Sequence, residues 1–129
     1  MPPELTVLAL AGLLHIAHLA LFSVTANAQV GMKQTMGPRD GGLGLTGIAG
    51  RAQRAEQNHI DGLTLFAVAV IVVTLGEATS PLTTTCAWVY LASRIAYIPV
   101  YAFGVPLIRS VVWGAGYLAT MLMLVAALL

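Results

Sequence analysis

What most constrains this chain is the spacing of its charges. Eleven charged side chains stand at Glu4, Lys33, Arg39, Asp40, Arg51, Arg54, Glu56, Asp61, Glu77, Arg94 and Arg109, and long apolar runs separate them. The hydrocarbon core of a bilayer takes about 20 residues of helix. Residues 5–28 supply such a run without a charge. A second helix, beginning near Arg51 and crossing Asp61, reaches the needed length by residue 76. A third runs from about 83 to 103, interrupted by Arg94, and a fourth from 107 to 129, with Arg109 near its start. The runs are continuous and rich in Leu and Ala rather than alternating, which disfavours membrane strands. The expected fold is all-α: an integral membrane four-helix bundle forming a single domain over residues 1–129.

Composition agrees and excludes other classes. Charged residues are 9% of the 129 and hydrophobic ones 58%, whereas a soluble domain carries about a quarter charged. Disorder needs the opposite balance. A net charge of +1 offers no footprint for nucleic acid. The lone Cys86 excludes an internal disulfide or a cysteine-built metal cluster and reads as a small apolar residue. Ala26-Asn27-Ala28 resembles a signal-cleavage site. However, no Lys or Arg precedes the first run, and that run exceeds the 7–15 residues usual for a signal, so a retained span is expected.

Residues 29–50 carry seven glycines and Pro38 and read as a flexible connection. Gly42-x-Gly44-x-x-Gly47 matches a dinucleotide fingerprint by letter, but no strand precedes it to position a pyrophosphate. Lys33, Arg39, Arg51 and Arg54 gather in or beside this connection, while the second connection holds only Glu77. The positive-inside rule then puts the first connection in the cytoplasm and both termini outside. Trp88 and Tyr90 are expected at the outer interface. Glu4 is expected to be a wet terminal charge and His59 an interfacial one.

Ionisable groups within a span are costly and usually face a bundle interior. Arg51, Arg54, Asn58 and Asp61 fall within a sector roughly 80° wide on one helix. Snorkelling to headgroups accounts for Arg51 but poorly for the deeper Asn58 and Asp61. On the third helix Arg94, Tyr97 and Tyr101 share a face, with Pro99 between the tyrosines expected to kink it. Arg109 and Ser110 open the fourth helix. These three sets converge at one depth, which points to a polar site between helices. Arginine forks bind carboxylates, so the suggested ligand is a small anion with several carboxylates.

Two motifs carry a resemblance. Arg51-x-x-Arg54-Ala-x-x-Asn58-x-x-Asp61-x-x-x-x-Phe66 is similar to the second-helix signature of the MAPEG family, the membrane-associated proteins of eicosanoid and glutathione metabolism. Arg94-x-x-Tyr97-Ile-Pro-x-Tyr101-x-x-Gly104-x-Pro106-x-x-Arg109-Ser110-x-x-Trp113, with Gly37-Pro38-Arg39-Asp40 upstream, resembles its bacterial members. The resemblance extends over essentially the whole chain. It implies a homotrimer with glutathione as co-substrate at the subunit interfaces, near the cytoplasmic face of a bacterial inner membrane. Arg54, Asn58 and Asp61 match the family's glutathione-binding positions and Tyr97 and Tyr101 its third-helix contacts. Arg109 sits near the arginine that holds the thiol as thiolate. The family usually has Glu at the position of Asp61, and eicosanoid-forming members carry a first-helix arginine that this chain lacks.

The implied activity is that of a glutathione transferase or peroxidase acting on a lipophilic electrophile or hydroperoxide that arrives through the membrane lipids. Arg51, Arg54, Asn58, Asp61, Arg94 and Tyr97 would bind glutathione. Arg109 would stabilise the thiolate, the nucleophilic form, with Tyr101 or Ser110 adding a hydrogen bond. The alternative is a non-catalytic protein whose Arg/Tyr patch holds anionic lipid or a partner. A metal or haem site at His15 and His18 has too thin a ligand set without nearby carboxylates, and no metal is expected. Gly114 and Gly116 read as close-packing residues.

Overall fold

A computed structural model describes residues 1–103 and 106–129, and the backbone alone for 99–103 and 106. Its elements are α1 (Pro3–Val30), α2 (Met32–Met36), α3 (Gly47–Leu75), α4 (Pro81–Phe103) and α5 (Pro106–Leu128). The four long helices form an antiparallel bundle, and no strand occurs among the described residues. Contacts are most extensive between α4 and α5 and between α1 and α3, while α3 also meets α5 and α1 meets α4. α1, α3 and residues Leu107–Leu128 of α5 are each long and apolar enough to cross a membrane.

The helix boundaries follow local chemistry. Pro3 opens α1 at a position where a missing N–H costs nothing. Gly31, at φ 86°, ends it in a conformation that a side chain would strain. The connection expected to be unstructured contains the single turn α2, and α3 starts at Gly47 rather than near Arg51. Gln29 fastens the two sides of that connection. Its Oε1 accepts the Thr46 backbone N–H at 2.9 Å and its Nε2 donates to the Thr46 carbonyl at 3.0 Å. Ahead of α4, the Ser80 N–H donates to Thr83 Oγ1 at 2.8 Å and the Thr83 N–H to Ser80 Oγ at 3.3 Å, a reciprocal cap for the first free amides.

Two helix ends meet through a residue expected to be in water. Glu4 is fully buried. Its Oε1 accepts the hydroxyls of Thr83 at 2.7 Å and Thr84 at 3.0 Å. A carboxylate near a helix N-terminus is favoured by the helix dipole, so the start of α1 is latched onto the start of α4. Here the position of Glu4 near the chain start misleads, because its environment is set by a helix about 80 residues away.

Val7, Phe66, Val70, Ala87, Tyr90 and Met123 are central to the interior cluster. Tyr90 therefore lies in the core and not in the outer aromatic belt, whereas Trp88 is 45% exposed. The Tyr90 ring stacks on Phe66 with centroids 4.0 Å apart, an arrangement worth about 0.5–1.5 kcal/mol beyond burial alone. α4 and α5 approach closely because Gly116 has no side chain. A Cβ there would collide with the Ser93 hydroxyl. Gly116 thus plays the close-packing role expected of it, while Gly114 faces open space.

Candidate functional site

Three cavities surround the middle of α3 and α4, and the predicted site residues divide among them. A cleft of about 150 Å³ is lined by Asn58, Tyr97, Arg109, Ser110 and Trp113. It brings together one residue from α3, one from α4 and two from the start of α5, as the spacing predicts. A second cavity of about 360 Å³ lies on the other side of Tyr97, lined by Arg51, His18 and apolar groups including Leu21, Ile48 and Ile98. The third, of about 70 Å³, holds Asp61 and Arg94 with Tyr90, Trp113, Gly116 and Tyr117. Arg54 lies on the exposed surface of α3 with Arg51. The side chain of Tyr101 and the Pro99 kink lie outside the described residues.

Arg94 joins these groups. It is 3% exposed, and its Nη1 donates to Asn58 Oδ1 at 2.9 Å, linking α4 to α3. Its guanidinium also sits 4.7 Å from the centroid of the Tyr97 ring, where the negative face of the π-system attracts it. Asn58 is thereby oriented toward the cleft it lines, and Tyr97 is held against the same cation. Arg94 is thus paired across the bundle, from α4 to α3. Nε and Nη2 of Arg94 and the Tyr90 hydroxyl are buried without hydrogen-bond partners.

On the opposite face of α3 lies a cluster that sequence reasoning missed. His59 was expected at the interface and is fully buried. Its Nδ1 lies 2.9 Å from His15 Nδ1, and the two rings stack at 5.0 Å. His15 Nε2 lies 3.4 Å from Glu56 Oε1, and His18 tilts against His59 at 4.7 Å. A carboxylate does therefore accompany His15, contrary to expectation. Even so, the rings face one another as stacked hydrogen-bonding partners, and no group among the described residues is arranged to hold a metal ion. The missed signal was a pair of spacings: His15 and His18 on α1, Glu56 and His59 on α3, each three apart and so on one helix face.

Trp113 and Tyr90 also escaped assignment. Trp113 lines both the Arg109 cleft and the Arg94 cavity. Tyr90 stands one turn before Arg94, a spacing that places the two on one side of α4.

No curated protein and no solved structure matches the chain. The model of the MAPEG family does match, over residues 6–129, which takes in all but the first three residues of α1, the whole of α3, α4 and α5, and every residue of the three cavities. On that match, and on helices apolar enough to span a bilayer, the chain is an integral membrane protein that belongs to the MAPEG family.

Proposed function

We propose that this chain is a membrane-bound, glutathione-dependent transferase or peroxidase. The observation that carries the reading is the cleft where Asn58, Tyr97, Arg109 and Ser110 meet. It gathers a cation, a phenol, an amide and a hydroxyl from three helices at one depth. The family match supports the choice of glutathione, since MAPEG proteins are generally tied to its chemistry.

Arg51 and Arg54, exposed on the two turns of α3 that precede Asn58, would take the carboxylates of glutathione in bidentate contacts. Asp61, further along the same helix, would receive its amino group, and Asn58 and Tyr97 would fix its backbone. Arg109 would hold the sulfur as thiolate, because a nearby cation lowers a thiol's pKa. Ser110, and Tyr101 from α4, would add hydrogen bonds to it. The thiolate would then attack an electrophilic carbon, forming a thioether as the carbon's bond to a leaving group breaks and that group departs with the electron pair, or as a double bond or epoxide opens and the displaced electron pair takes up a proton. In the peroxidase version it would attack the terminal oxygen of a hydroperoxide, releasing an alcohol and leaving a sulfenic acid that a second glutathione reduces to disulfide and water.

The exposed arginines suit a homotrimer in which a second copy completes the ligand's surroundings. The basic connection between α1 and α3 suits a cytoplasmic placement in a bacterial inner membrane. Ultraviolet absorbance of purified protein on adding glutathione tests the reading. A thiolate band that disappears in Arg109→Ala is expected. No band at millimolar glutathione sinks the enzyme. Retained binding of anionic vesicles in that case establishes the second reading, which the exposure of Arg51 and Arg54 favours: a patch for lipid headgroups.

A further inference from the structure

Arg94 carries a charge that no carboxylate answers. It is 3% exposed, and its Nη1 is engaged by the neutral amide of Asn58. Its Nε–H and Nη2–H, the two donors along one edge of the guanidinium fork, are buried without partners. The Tyr97 ring offers only its π face. The Tyr90 hydroxyl, 2% exposed, is a third open donor on the wall of the same cavity. The chain has 5 acidic residues, and none is paired with Arg94. Glu4 is bonded to Thr83 and Thr84, and Glu56 faces His15. Asp40 lies in the connection before α3 and Glu77 in the turn before α4. Asp61 lines the Arg94 cavity, but it is exposed and forms no ion pair among the described residues. A guanidinium held inside a bundle without a counter-charge is strongly unfavourable.

We propose that the cavity between α3, α4 and α5 holds a compact monovalent anion, a halide or a small oxyanion of the formate or bicarbonate type, as the resident counter-charge of Arg94. The Nε and Nη2 edge donates two parallel hydrogen bonds to such an anion, and the Tyr90 hydroxyl donates a third. The cavity measures about 70 Å³, room for a few heavy atoms and not for a peptide. Leu65 and Trp113 give it apolar walls, so a second negative charge on the ligand would be buried uncompensated. Gly62 keeps the space open, since a Cβ there would stand 3.8 Å from the Tyr90 hydroxyl. An anion on this edge holds the guanidinium in place while Nη1 orients Asn58, and so steadies two walls of the Arg109 cleft, Asn58 and Tyr97. The site rests on burial and charge and does not depend on the glutathione reading.

Trp113 lines the cavity and is the reporter. Trp88→Phe leaves it the sole tryptophan of a chain with 2. This protein is reconstituted without glutathione and titrated with iodide, a heavy-atom quencher, at constant ionic strength. Saturable quenching is expected, reversed by chloride and by formate but not by sulfate. Arg94→Gln should abolish the saturable part. Tyr90→Phe should weaken iodide about fivefold, the effect of one hydrogen bond, and Gly62→Leu should fill the cavity and exclude the anion. These two variants decide the matter if Arg94→Gln fails to fold. Asp61→Asn should tighten binding, because it removes the one negative charge on the cavity wall. Quenching that stays linear in iodide would overturn the proposal, since water or Asp61 then satisfies Arg94. Loss of saturation in Arg109→Ala would also overturn it, by moving the anion to the neighbouring cleft. So would displacement of iodide by glutathione as readily as by formate, which would give the fork to the co-substrate. Failure of thiolate formation at Arg109 would leave the anion site standing.

Discussion

Two polar clusters flank the same two turns of α3, and they differ in what they leave unmet. Toward α1, Glu56 and His59 meet His15 and His18; His15 and His59 bond through Nδ1 and the rings stack, which leaves one uncharged ring atom, Nε2, of His18 and of His59 buried without a partner. Toward α4 and α5, Asn58 and Asp61 meet Arg94 and Tyr90, and three donor atoms remain unpaired beside open cavities. Neutral rings can be sealed into an apolar bundle at modest cost, whereas a guanidinium there demands partners. The histidine side therefore reads as a joint between helices and the arginine side as a place prepared for something to enter.

The strongest way to break this contrast is Arg109→Ala. Removing a group that stabilises developing negative charge costs about 10²–10³ in turnover. That loss is expected with helix content unchanged by circular dichroism. An equal loss from His15→Phe would erase the distinction between the two sides.

Asn58→Leu should come next. It strips the Arg94 guanidinium of its hydrogen-bonded amide, and losing a hydrogen bond to a buried charged group costs about 1.5–3 kcal/mol. Unfolding in detergent or lipid would show this as a lower midpoint. If the double change Asn58→Leu with Arg94→Leu restores the midpoint, the cost belongs to the stranded charge.

Gly116→Ala should cost about 1–3 kcal/mol, the usual range for overpacking, because the new Cβ runs into Ser93. Ser93→Ala should recover most of it. Glu56→Gln should be the mildest, about 0.5–1.5 kcal/mol from one weakened hydrogen bond, with the thiolate signal unchanged. A large drop in that signal would tie the histidine side to the chemistry.

The helices were legible because the bilayer imposes a length, and apolar runs between charges reveal it directly. The stripe of Arg51, Arg54, Asn58 and Asp61 was legible because a helix repeats every 3.6 residues. What periodicity cannot supply is which neighbour a face meets. Glu4 looked wet until Thr83 and Thr84 were brought to it. Tyr90 looked interfacial until Phe66 supplied a stacking surface. His59 sits off the arginine stripe, as its position requires, yet that direction leads into α1 rather than to the interface. The division of the site residues into three cavities was likewise beyond reach, since Tyr97 and Trp113 act as walls only once α4 and α5 are in register.

The Gln29 contact to Thr46 has a practical side. It anchors both edges of the segment between α1 and α3 through one amide, so what lies between is tethered independently of its own contents. Gly41, Gly42 and Gly44 there are exposed. An epitope or a reactive cysteine spliced among them would hang outside the fastening without dragging on either span. That makes this stretch the natural handle for learning which side of the membrane it occupies.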